Sequence, residues 1–202
     1  MIYDLFPTPI GVYDVSAELD FKDLYHRIKN LKVYQHDLIE GPGGSSYGSG
    51  FREPDIDSAE LFDLPNFNDV NEVCMKTIRK YCRHTGLRSN LEYTFSWFNI
   101  NEKGTPTNPH RHNMSALSGA LYVKADDTAQ PIMFNNPTNI YRQYEMTDNN
   151  STLQGYWHQD AAVQSRTGLL VIFPSWLEHL VPKGSETDNE RIVISFNTKY
   201  PH

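Results

Sequence analysis

The stretch Leu91-Glu92-Tyr93-Thr94-Phe95-Ser96-Trp97-Phe98-Asn99-Ile100 decides how the chain is read. Tyr93, Phe95, Trp97 and Asn99 alternate with Thr94, Ser96, Phe98 and Ile100. A period of two belongs to a β-strand whose two faces meet different surroundings. Downstream the same character recurs in short apolar runs at 117–123, 132–134, 169–173 (ended by Pro174) and 191–197. Upstream the period is helical. Phe21, Leu24, Ile28 and Leu31 share one face of a helix predicted over 20–31. Phe67, Val70, Val73, Ile78 and Cys82 form the buried face of a second helix over 66–84, and Gly86 is read as its C-terminal cap.

The other segments follow from local chemistry. Pro7 and Pro9 forbid a helix within 2–15 and suit an extended edge strand. The Gly/Ser-rich run 41–50 is read as a flexible loop. It lacks the Lys-Ser/Thr ending of a phosphate loop, which argues against nucleotide binding there. Residues 135–166 have no clear period and are rich in Asn, Gln, Tyr and Thr, as functional loops often are. The fold class expected is mainly β with N-terminal helices, a sandwich or barrel. No linker or internal repeat divides the chain, so 1–202 is read as one domain, with a helical support region at 1–90 and a β core at 91–202.

A chain of 202 residues suits one large domain. With 18 Lys+Arg against 25 Asp+Glu, the net charge is −7, and no basic run exceeds two residues. That argues against a general nucleic-acid binder, which needs a basic face. No apolar run approaches the ~20 residues that cross a bilayer, and the N-terminus does not read as a signal peptide. Cys74 and Cys82, eight helical residues or ~12 Å apart, are too distant to pair. A cytoplasmic location is the expectation, or the host cytoplasm for a phage-borne chain.

Three of the eight histidines stand out. His110 and His112 form a His-x-His pair ahead of the 117–123 strand, and His179 follows the 169–173 strand. In an extended chain, residues i and i+2 point the same way, so two imidazoles can converge on one ion. Imidazole suits Fe, Zn, Cu and Ni. Such a pair alone is weak evidence. The last strand adds a second signal. Ile192, Ile194 and Phe196 make an ordinary core face, whereas Arg191, Val193, Ser195 and Asn197 make a mostly polar one. An arginine aimed into a barrel needs an anion, and guanidinium binds carboxylate bidentately. His26, His36 and His84 are read as solvated, and Trp97 and Trp176 as core. Glu178 is adjacent to His179 and should diverge from it.

The order His110-x-His112, then Leu117-Ser-Gly-Ala-Leu-Tyr-Val123, Phe173-Pro-Ser-Trp-Leu-Glu-His179 and Arg191-Ile-Val-Ile-Ser-Phe-Asn197 resembles the Fe(II)/2-oxoglutarate-dependent oxygenases of marine bacteria and their phages, relatives of the prolyl 4-hydroxylase superfamily. The resemblance implies a double-stranded β-helix, or jelly roll, with Fe(II) and 2-oxoglutarate as cofactors. His110 and His179 match the two metal-binding histidines. His112 stands where a carboxylate is usual, which implies a three-histidine set. Arg191 matches the residue that binds the far carboxylate of 2-oxoglutarate. Asn99, Tyr122 and Ser195 are further cosubstrate candidates. Tyr156, Trp157 and His158, with Tyr141 and Tyr144, are candidate contacts for the primary substrate. The implied activity is hydroxylation of a C–H bond in a peptide (peptidyl proline included) or small molecule, by a monomer or homodimer without a membrane partner. Two rival readings stay open: a cupin-like three-histidine dioxygenase that does not use 2-oxoglutarate, and a non-catalytic jelly-roll binding module.

Overall fold

The computed structural model describes residues 7–36, 38–46, 60–137 and 160–201. In chain order the elements are β1 (Gly11–Asp14), α1 (Phe21–Lys29), β2 (Gly43–Ser45), α2 (Asn68–Thr85), β3 (Glu92–Asn101), β4 (Thr107–His110), β5 (Leu117–Lys124), β6 (Ile132–Asn135), β7 (Asp160–Val163), β8 (Leu169–Pro174), β9 (His179–Val181) and β10 (Arg191–Lys199). Two short 3-10 turns, Leu61–Asp63 and Pro65–Phe67, lead into α2.

All pairings are antiparallel. One sheet has the order β1-β8-β5-β10-β3-β2 and the other β4-β9-β6-β7. They face one another as a double-stranded β-helix, with Phe173 of the first sheet against Phe134 of the second at 4.9 Å between ring centroids.

The helices start and stop where the sequence chemistry says they should. Asp20 caps α1 by accepting from the Lys22 and Asp23 N–H groups. Gly86 closes α2 at a φ of 75°, a left-handed conformation that costs a glycine little. Both helices lie on the outer face of the larger sheet. Leu24, Ile28, Val70, Cys74, Ile78 and Tyr81 pack there against Phe98, Leu121, Ile172, Ile194 and Phe196. Both cysteines are free and buried. Cys74 and Tyr81 join a helix face on which the sequence reading had placed Val73, which is only partly buried.

Three short strands escaped the sequence reading. β4 contains Pro109, tolerable because β4 is an edge strand. β9 is three residues long and carries His179. β7 falls inside the aperiodic 135–166 segment, so that segment is not all loop; residues 138–159 lie outside the described residues. The 41–50 run needs a related correction, because Gly43–Ser45 pairs with β3 as an edge strand. It reads as loop because it is built on glycine, and it needs glycine because a Cβ at Gly43 would sit 2.0 Å from the Ile100 carbonyl oxygen. Residues 47–50 lie outside the described residues.

Candidate metal centre

The ladder between β4 and β9 brings the histidines together. His110 and His179 are direct cross-strand partners. His112 lies just past the end of β4, where its backbone N–H donates to the Ser175 carbonyl at 3.0 Å. Ring centroids are 4.2 Å apart for His110–His179, 5.0 Å for His110–His112 and 5.1 Å for His112–His179. One ligand nitrogen from each lies within 4.8 Å of the others. That spacing lets the three hold one ion between them.

Their surroundings suit ligation. The His110 Nδ1–H donates to the Asn108 carbonyl at 2.8 Å and the His179 Nδ1–H to the Leu177 carbonyl at 3.0 Å. A carbonyl only accepts, so each Nδ1 carries the proton and each Nε2 keeps its lone pair for a metal. The rings sit among apolar walls: Phe173 lies 4.7 Å from His179 and Trp97 lies 5.5 Å from His112. Burial, helped by the neighbouring His110, pushes His112 and His179 down to about 3. Burial lowers His110 as well, against the pull of its Asn108 hydrogen bond. All three are therefore neutral at pH 7, as a metal requires. Neutral imidazoles this close fit Fe(II) among divalent first-row metals.

The polar face of β10 points into the same interior. Arg191 is only 5% exposed and stacks over the Tyr122 ring, with 5.4 Å from Cζ to the centroid. Its Nη1 donates to Asn101 Oδ1 at 3.0 Å. Among the described residues no Asp or Glu pairs with it, and Arg191 Nε and the Tyr122 hydroxyl are both buried without a partner. Two orphaned donors side by side are costly unless something accepts from them. An acidic ligand with a terminal carboxylate fits that demand, as the far end of 2-oxoglutarate does. The cleft beside Arg191 is lined by Asn101, Thr105, Gln130, Val181, Asn189 and Asp188, whose Oδ2 accepts from Gln130 Nε2 and the Ser185 N–H. Val181 stands two residues from His179 and is buried like it, so β9 runs from the histidines to the arginine.

Not every expected residue has a free hand. Asn99, with its amide oriented to satisfy its neighbours, donates to Ser45 Oγ (2.9 Å) and the Phe98 carbonyl (3.2 Å) and accepts from Trp97 Nε1 (3.2 Å). Its contribution is to hold Trp97 against His112, which also corrects the reading of Trp97 as plain core. Trp176 is 51% exposed, not core. Ser195 shares the Arg191 face and is half-buried. Glu178 diverges from His179 as expected and instead bonds Arg111 (3.1 Å) and Asn135 (2.7 Å). His36 is not simply solvated: its Nδ1 accepts from the Leu38 N–H, and it lies close enough to depress His110. Tyr141, Tyr144, Tyr156, Trp157 and His158 lie outside the described residues. Asn101 was missed, as was the buried chain in which Ser118 Oγ bonds both Asn197 Oδ1 (2.7 Å) and Ser175 Oγ (2.8 Å). No sequence signal singles out Asn101, because only the register of β3 against β10 sets it opposite Arg191.

Comparison with known proteins agrees with this geometry. The family described as "Putative 2OG-Fe(II) oxygenase" matches residues 95–197, from β3 to the polar face of β10. No curated protein matches the chain significantly. HygX from Streptomyces hygroscopicus, solved with nickel and 2-oxoglutarate bound, is similar at a TM-score of 0.59 and 10% identity, over 96% of this chain and 83% of that one. A prolyl-4-hydroxylase from Pseudomonas putida is similar at 0.56 and 13% identity, over 96% and 94%. An oxidoreductase of the 2OG-Fe(II) oxygenase family from Burkholderia pseudomallei gives 0.51 and 12% identity, over 69% of this chain and 59% of that one. At these identities the likeness to solved structures is one of fold.

Proposed function

The chain belongs to the 2OG-Fe(II) oxygenase family, and from that premise we propose how its residues divide the work. His110, His112 and His179 hold Fe(II). Arg191 and the Tyr122 hydroxyl hold the far carboxylate of 2-oxoglutarate, and Ser195 lines the same wall. Bound together, the metal and cosubstrate supply O2-dependent oxidation of a substrate C–H bond, with succinate and carbon dioxide as by-products. Everything else is positioning. Arg191 and Tyr122 fix the cosubstrate by its far end, so that its reactive end lies toward the histidines. Asn101 aims the guanidinium. Phe134, Phe173 and Trp97 exclude water from the imidazoles.

The single observation that carries this reading is the orphaned Arg191–Tyr122 pair, buried in the interior that holds the three histidines. A cupin-like dioxygenase without 2-oxoglutarate gives that pair no role. We read 1–202 as one oxygenase domain. Its substrate is taken to be a small molecule or a peptide, because a chain of net charge −7 is poorly suited to a polyanion. The relatives named above include a prolyl hydroxylase. The test is uncoupled turnover: purified protein, Fe(II), O2 and 2-oxoglutarate, with succinate measured. Succinate that depends on Fe(II) and disappears in His179→Ala supports the reading. Its absence at every metal and cosubstrate concentration contradicts it.

A further inference from the structure

We infer that His112 is the exchangeable member of the metal set, bound about 10- to 100-fold more weakly than a histidine fixed by a hydrogen bond at its second nitrogen. The inference rests on the three-histidine reading above and concerns a difference within it.

The three imidazoles are not held alike. His110 and His179 each commit Nδ1 to a carbonyl two residues earlier in the chain. Such a bond fixes the tautomer, fixes the ring plane and makes the free nitrogen a better donor. Among the described residues, the His112 ring makes no hydrogen bond. Its ring neighbours are the other two imidazoles and Trp97, edge-on at 63°, which pack the imidazole without choosing its tautomer.

The backbone repeats the contrast. His110 and His179 face each other within a ladder. His112 lies beyond the last residue of β4 and is tied by its N–H to the Ser175 carbonyl. Two residues on, Met114 has a φ of 63°, a region that side-chain-bearing residues rarely occupy, and is 98% exposed. A strained turn thus follows His112 immediately, whereas no such residue flanks His179. The Ser175 bond holds the His112 backbone in place, so its ring can leave the ion by rotating about its own side-chain bonds.

The difference at His112 matters for charge as well as for geometry. A neutral and loosely fixed ring there leaves the charge of a divalent ion uncompensated, so an anionic side chain at 112 should bind better than the histidine does.

The experiment is anaerobic Fe(II) titration of the wild type, His110→Ala, His112→Ala, His179→Ala and His112→Asp, with circular dichroism and apo Tm confirming that each is folded. The expected result is a loss of Fe(II) affinity in His112→Ala that is about 10- to 100-fold smaller than in either of the other two alanine variants, and tighter binding than wild type in His112→Asp. Equal losses in all three alanine variants would overturn the inference and leave the oxygenase reading standing. An unchanged His112→Ala would also overturn it, since His112 would then be no ligand, and so would weaker binding in His112→Asp. Unchanged binding in all three alanine variants would instead sink the metal centre itself.

Discussion

On one face of β10, Ile192, Ile194 and Phe196 are wholly buried among the side chains of α1, α2 and the neighbouring strands; on the other, Arg191, Ser195 and Asn197 look into the space between the two sheets. The first face is closed hydrocarbon. The second carries a buried guanidinium with a donor unspent, set over the Tyr122 ring of the neighbouring β5, whose hydroxyl is also unspent. The same backbone carries both, so the difference lies in the side chains alone. One face holds the fold together. On the function proposed above, the other accepts a cost in stability and recovers it when an anion binds.

That contrast can be broken by substitution. Phe196→Ala removes a fully buried ring from the outer face and should lower stability by about 3–5 kcal/mol, measured by denaturant unfolding, with Fe(II) affinity in the folded protein unchanged. An altered Fe(II) affinity would mean that the two faces are not independent. Arg191→Ala should do the reverse. It should weaken 2-oxoglutarate binding by about 2–5 kcal/mol, the usual cost of truncating one partner of a buried charge pair, while apo stability holds or rises. A clear fall in apo stability would give Arg191 a structural role instead. Tyr122→Phe sharpens the point at a single atom. Calorimetry should show 2-oxoglutarate loosened by up to about tenfold, and the apo Tm should not drop, because the hydroxyl removed had no partner.

Acid gives the smallest effect over the range first tested. In the folded chain His112 and His179 are pushed down to about 3 by burial. In the unfolded chain histidine protonates near 6.5. Protons therefore bind the unfolded state first, and apo stability falls as pH drops from 7 through 6 and on toward 3. A Tm lower by roughly 2–4 °C at pH 6 than at pH 7 is expected for each kcal/mol lost. Bound metal should raise the Tm at both pH values and leave that slope in place, because between pH 7 and 6 the folded nitrogens of His112 and His179 carry no proton for the metal to displace.

The outer face was easy to read in sequence because its rule is periodic. Every second residue of 191–197 is large and apolar, and the helical period located Leu24, Ile28, Val70 and Ile78. His110 and His112 were legible for the same reason, since a period of two puts them on one side. What stayed hidden depends on register between distant strands. Nothing in the run Thr107-Asn-Pro-His110 announces a strand, and β9 is too short to show a period. Asn101 opposite Arg191, and Ser118 linking Asn197 to Ser175, arise only when the ladders form. Trp176 looked like core because it is large and apolar, but it falls in the turn between β8 and β9, which leaves it half exposed.

The most direct test of the central claim, that one interior holds both a metal and an acidic cosubstrate, is anaerobic optical titration. Apo-protein is loaded with Fe(II), then 2-oxoglutarate is added while the weak visible charge-transfer absorption of the chelate is followed. The account predicts a band that saturates with 2-oxoglutarate in the wild type and needs far more of it, or never forms, in Arg191→Ala. Fe(II) binding without any band, or a band indifferent to Arg191→Ala, would contradict it.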